Sequence, residues 1–149
     1  MVDPPPTGAP DLGSRLEALG RELGQREAAH REGLQRAREC AETLRVEVAA
    51  ALARFHDAAS AAGAPHLWIE LGEIQVDEKH LRAVEFELCR GRHRAIVTAK
   101  SRGDVTLVGP FQAGKVEGPC LSFPFDAGSE LHRALGDLLA RFAEEAATP

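Results

Sequence analysis

Along residues 14–63 the series Leu16, Leu19, Leu23, Glu27, His30, Leu34, Ala37, Ala41, Leu44, Val48, Ala51, Phe55, Ala58 and Ala62 advances by steps of three and four. Alternating threes and fours average the 3.5-residue repeat of a coiled-coil seam. The two successive fours from Leu19 to Glu27 form a stutter, which locally unwinds a left-handed supercoil. Ser14 and Glu17 fit a capping box at the start of this stretch. Gly63 suits the left-handed residue that closes a helix, and Pro65 prevents continuation. The pattern predicts one helix over residues 14–63, roughly 70 Å long at 1.5 Å per residue.

Two kinds of packing fit different parts of that helix. Around residues 44–55, Val46, Leu52 and several alanines widen the apolar stripe, as in a helix lying on its own domain. From Leu16 to Leu34 the stripe is narrow and its flanks are charged, which points to pairing between chains. Gly20, Gly24 and Gly33 each cost about 1 kcal/mol relative to alanine inside a helix. Glu27 and His30 hold seam positions where leucine is expected, and polar seam residues set register at some cost in stability. In a parallel pair His30 meets its counterpart, so protonation would place like charges face to face. The residues expected to carry self-association are Leu16, Leu19, Leu23, His30, Leu34 and Leu44.

After Pro65 the period changes to two. Leu67, Ile69 and Leu71 alternate with Trp68 and Glu70, and Val84, Phe86 and Leu88 alternate with Glu85, Glu87 and Cys89. Residues 90–93 and 101–104 read as glycine-containing turns, with strands at 94–100, 105–108 and 119–125. Gly109 and Pro110 are expected to break the fourth strand. Ser129 begins a last amphipathic helix, with Leu131, Leu135, Leu138 and Phe142 on one face. The fold class is therefore α+β: a long N-terminal coiled-coil-like helix, an antiparallel meander of four or five strands, and a C-terminal amphipathic helix. The expected divisions are a disordered proline-rich tail (1–13), the long helix (14–63) and an α+β head (64–149).

Composition narrows the function classes. A net charge of −5 with 28% charged residues lacks the basic footprint of a dedicated nucleic-acid binder. No apolar run is long enough to span a bilayer, and the start of the chain has no basic or apolar signal-peptide character. Three cysteines, Cys40, Cys89 and Cys120, show no paired zinc spacing and read as reduced thiols in a cytoplasmic protein. Residues 109–115 match the glycine and lysine positions of a phosphate loop. Val116 stands where its hydroxyl should be, and Gly118 and Pro119 leave no room for a helix, so the stretch reads as a loop. The six histidines show no ligand spacing, and no nucleophile has a base and an orienting group beside it. Neither metal nor cofactor nor catalysis is expected.

The basic residues Arg90, Arg92 and Arg94 gather at one hairpin end, and Lys100 and Arg102 at the other. They are candidate contacts for an anionic partner, or simply solvated turn charges. Trp68, opposite Leu67 and Ile69, is either a partner contact or a core aromatic under a helix. The reading that follows is a non-enzymatic, cytoplasmic homo-oligomer, most simply a parallel dimer, acting as an adaptor, scaffold or chaperone-like partner of another protein. The rival reading is a small-ligand or nucleic-acid binder using the basic hairpin tips.

Overall fold

A computed structural model describes residues 11–77, 82–114 and 118–147. The elements are α1 (Leu12–Ala61), β1 (Glu70–Leu71), β2 (Gln75–Asp77), β3 (Ala83–Arg90), β4 (His93–Lys100), β5 (Asp104–Gln112), β6 (Cys120–Pro124) and α2 (Gly128–Ala147). This is an α+β fold with a long N-terminal helix, an antiparallel sheet and a C-terminal helix. The chain divides into two compact units, Met1–Glu32 and Gly33–Pro149. The dividing point falls inside α1 and not at its C-terminal end, because the helix residues from Gly33 onward pack with the sheet.

The ends of α1 have local causes. Asp11, not Ser14, is the N-cap: its carboxylate accepts the Ser14 amide at 2.7 Å. The bond from that amide, with help from the Ser14 hydroxyl, holds the Asp11 carboxyl below its ordinary range. At the other end Gly63 adopts φ 90°. Its amide donates to Ser60 O at 3.0 Å, and Ala64 N donates to Ala59 O at 2.8 Å, the paired bonds of a Schellman closure.

Within Gly33–Pro149, the sheet order is β1-β3-β4-β5-β6, with β2 also paired to β3. β1 pairs with Leu88 and Cys89, β2 with residues 83–85, so both lie end to end along the outer edge of β3. β2 is a sixth strand that alternation had not marked, since Gln75, Val76 and Asp77 are too few to show a period. The β3–β4 hairpin turns on Gly91 at φ 57°, the left-handed conformation that two-residue hairpin turns favour.

Strand β5 does not break at Gly109. The register passes from Ile96↔Val108 to Arg94↔Phe111, so Gly109 and Pro110 together oppose Ala95 in a bulge. Gly109 takes φ 115° there, over a cis peptide to Pro110. A bulge is one of the few places in a ladder where a residue without an N–H fits, and the strand resumes to Gln112.

Register sorts the strand residues into two faces. Val84, Phe86, Leu88, Ala95, Val97, Ala99, Val105 and Leu107 share one face and lie in the core. Ala37, Ala41, Leu44, Val48 and Leu52 of α1 join them at steps of three and four, as do Leu131, Leu135, Leu138, Phe142 and Ala146 of α2. The opposite face carries a polar row, Glu85, Thr98, Thr106 and Ser122. Thr98 donates to Glu85 at 3.3 Å, and the Thr106 and Ser122 hydroxyls lie 3.1 Å apart.

Candidate functional site

The first unit offers a helical surface. No residue of 12–32 is buried. Leu12, Leu16, Leu19 and Leu23 are 78, 68, 45 and 49% exposed, at steps of four, three and four. Glu22 and Arg26 pair at 2.6 Å, and Glu27 and Arg31 at 3.9 Å. Such i,i+4 pairs support an exposed helix by about 0.3–0.5 kcal/mol each. Of the other residues marked for self-association, His30 is half-buried. Leu34 is half-buried against the core of the second unit, and Leu44 lies inside that core at 4% exposure. Those last two serve the domain's own packing.

The second unit offers a groove. It is a cleft of about 570 Å³, lined on the α1 side by Ala49, Leu52, Ala53, His56 and Asp57 and on the other by residues 68–71. The helical positions are three, four, seven and eight residues apart, so they form one stripe. The His56 ring stacks on Trp68 with centroids 3.8 Å apart and planes 14° from parallel. Its Nε2 accepts the Ile69 amide at 3.0 Å, so the neutral ring carries its proton on Nδ1. Burial pushes the His56 pKa down, opposed by the nearby Asp57 carboxylate. Trp68 therefore does not pack under a helix: one ring face rests on His56 and the residue stays 57% exposed.

The basic residues are largely engaged. Arg90 folds back, donating to Ala146 O at 3.1 Å and His66 O at 2.7 Å. Arg94 pairs with Glu87 at 3.0 Å and donates to Gly91 O at 2.7 Å. Arg102 binds its own turn's Asp104 at 2.6 Å. Arg92 is exposed and Lys100 half-buried. The hairpin tips thus hold structural cations more than a free basic patch.

Other chemistry-bearing groups are placed as follows. His132 lies 2.7 Å from Glu47 through Nε2 and 2.8 Å from Gly128 O through Nδ1. Two acceptors facing both ring nitrogens favour the imidazolium, so its pKa is raised, first by Gly128 and then by Glu47. Burial and the Glu47 charge push the Cys40 thiol up, away from the thiolate form that acts as a nucleophile. In the phosphate-loop-like stretch residues 109–112 are strand, while Lys115 and Val116 lie outside the described residues. Among the described residues no group of three His, Cys, Asp or Glu side chains could hold a metal.

No family model, curated protein or solved structure matches this chain. No described helix is long and apolar enough to cross a membrane. The geometry itself is what bears on function, and one part of it could not be read from periodicity. His56 and Trp68 stand 12 residues apart on either side of the Gly63 closure, and only that reversal stacks them. The one available signal was an aromatic and a histidine flanking a Gly-Ala-Pro turn.

Proposed function

We propose that this protein is a non-enzymatic, homo-oligomeric interaction module, whose N-terminal helical stretch associates with a second copy in a parallel pair. The observation that supports the reading is the row Leu12, Leu16, Leu19 and Leu23, exposed at 45–78% in a stretch where nothing is buried. A fully buried leucine contributes about 1.5–3 kcal/mol over an exposed one, so pairing four per helix supplies a sufficient drive. Gly20, Gly24 and Glu27 offset part of that gain. The association is therefore moderate and depends on concentration.

Self-association of this kind suits an adaptor or scaffold, which presents two heads to other proteins. The reading includes a cytoplasmic setting, in keeping with three unpaired cysteines. Binding of an anionic partner at the hairpin tips is less well supported, because Arg90, Arg94 and Arg102 already have partners.

The test is solution mass by light scattering on the full chain and on a Leu16→Glu/Leu23→Glu variant. The parent should approach twice the chain mass of 16.0 kDa as concentration rises, and the variant should remain at 16.0 kDa. A parent that stays monomeric at all concentrations refutes the proposal.

A further inference from the structure

We infer that the His56–Trp68 groove docks a basic, partly apolar peptide segment, with an arginine or lysine side chain laid over the exposed face of Trp68 and its charge toward Asp57 and Glu70. This goes beyond self-association and does not depend on it, since every lining residue belongs to Gly33–Pro149.

The chemistry of the lining selects the occupant. Ala49, Leu52, Ala53, Ile69 and Leu71 supply an apolar floor. That floor suits an aliphatic stem, and long cationic side chains lay such stems on apolar surface while keeping the charge in water. Trp68 presents an indole face, the aromatic surface on which cations bind best. Its inner face is held by a flat stack on His56, and His56 is in turn held by the Ile69 amide. The platform is thus set before a ligand arrives, which lowers the ordering cost of binding. Apart from His56, the ionisable groups that line the groove, Asp57 and Glu70, are both acidic and exposed. The nearby Arg90 guanidinium lies at the Trp68 backbone carbonyl, 3.5 Å away, and is committed to the His66 and Ala146 carbonyls. No lysine or arginine lines the groove, and among the described residues none pairs with either carboxylate. An acidic or phosphorylated segment would meet like charge on the groove's lining.

Trp68 is the chain's one tryptophan and there is no tyrosine, so intrinsic fluorescence reports on this groove alone. The experiment titrates the full chain with a short capped peptide of alternating leucine and arginine. Matched peptides carry glutamate in place of arginine, or glycine in place of leucine. The expected result is a saturable change in emission with the leucine–arginine peptide, weaker with the glycine peptide and absent with the glutamate one. Asp57→Asn/Glu70→Gln should bind about tenfold more weakly, the loss of two exposed charge contacts. Glu42→Gln/Glu144→Gln removes the same net charge from exposed sites outside the groove and should leave binding within twofold.

Equal weakening in both double variants would show general attraction to an acidic protein and overturn the inference. So would an equal response to the glutamate peptide, no response at all, or an emission change with protein concentration alone, which would mean a second copy fills the groove. Repeating the titration in the Leu16→Glu/Leu23→Glu background separates this site from self-association, because groove binding should persist there.

Discussion

The interior glycines of α1, Gly20, Gly24 and Gly33, look alike in sequence, yet the same substitution should act in opposite directions among them. A Cβ on Gly33 would lie 2.5 Å from Ser101 O and 3.3 Å from Ser101 C, in the backbone of the β4–β5 turn. An ordinary carbon–oxygen contact needs roughly 3.2 Å or more, in line with optimal non-bonded separations, so something must retreat by a good fraction of an ångström. The helix is held by Ala37 and Ala41, both 0% exposed, one and two turns further on. The turn is held by bonds from Ser101 N to Arg82 O at 2.9 Å and from Phe125 N to Gly103 O at 2.9 Å. Forcing extra volume into such a contact costs about 1–3 kcal/mol. The gain in helix propensity returns about 1 kcal/mol. Gly33→Ala should therefore lower stability, by about 1 kcal/mol net. Beside Gly20 and Gly24 a Cβ meets nothing within 4 Å, so alanine there should add helix stability of up to about 1 kcal/mol each. Urea unfolding followed by Trp68 emission reports Gly33–Pro149, and far-ultraviolet ellipticity reports both units. A Gly33→Ala midpoint at or above the parent's would refute the argument, since the close approach would then not constrain the fold.

Further outcomes follow from the polar contacts. The raised pKa of His132 contributes stability that is complete below the unfolded histidine value and lost as pH rises through the higher folded one. Solvent screening at this exposed pair holds the effect to about 1 kcal/mol or less, and His132→Gln should remove the slope in urea midpoints across that window. The lowered pKa of His56 has the opposite sign: its contribution stands above the unfolded value and is lost as pH falls through the folded one, visible as a change in Trp68 emission on acidification. Arg90→Ala should cost about 1–3 kcal/mol in urea unfolding, because the Ala146 and His66 carbonyls lose a charged donor. Arg90→Lys should recover little of that loss, since an ammonium cannot span both acceptors as the guanidinium fork does.

What could be read in the sequence was whatever repeats or punctuates locally. Gly63 followed by Pro65 marked the end of α1, the period-two run at 84–88 marked β3 and the flanking turns marked β4, because each signal sits within a few residues of its effect. Of the strand expected at 67–71, by contrast, only Glu70–Leu71 pairs. The spacing from Ser14 to Glu17 marks Ser14 as the cap, but the choice of cap depends on which side-chain oxygen the first-turn amides meet, and the Ser14 amide meets the Asp11 carboxylate. The break expected at Gly109 did not occur because a bulge depends on the partner strand, and Ala95 lies outside any local window. The seam divided for a similar reason. From Leu34 onward the same three-four spacing serves packing on a sheet as well as it serves a second helix, and only the sheet's position assigns Leu44 to the core. The groove is a tertiary product throughout, as is the capture of Arg90 by carbonyls 56 and 24 residues away.

The two ends of the strand order bear on how this sheet survives in a crowded solution. An open ladder of amides recruits strands from other molecules, and long, flat, apolar edges become seeds for fibrils. Here one border consists of β1 and β2, two and three residues long, with the His56 ring on the Ile69 amide and Arg45 on the Gly72 carbonyl at 2.9 Å. The other is β6, preceded by Pro119 and closed by Pro124, neither of which can donate to a visiting strand. A foreign segment that docks on β6 finds a stretch too short to propagate. Both flanks of the sheet thereby offer a visiting strand only short stretches of backbone, bounded by side-chain contacts on one side and by prolines on the other.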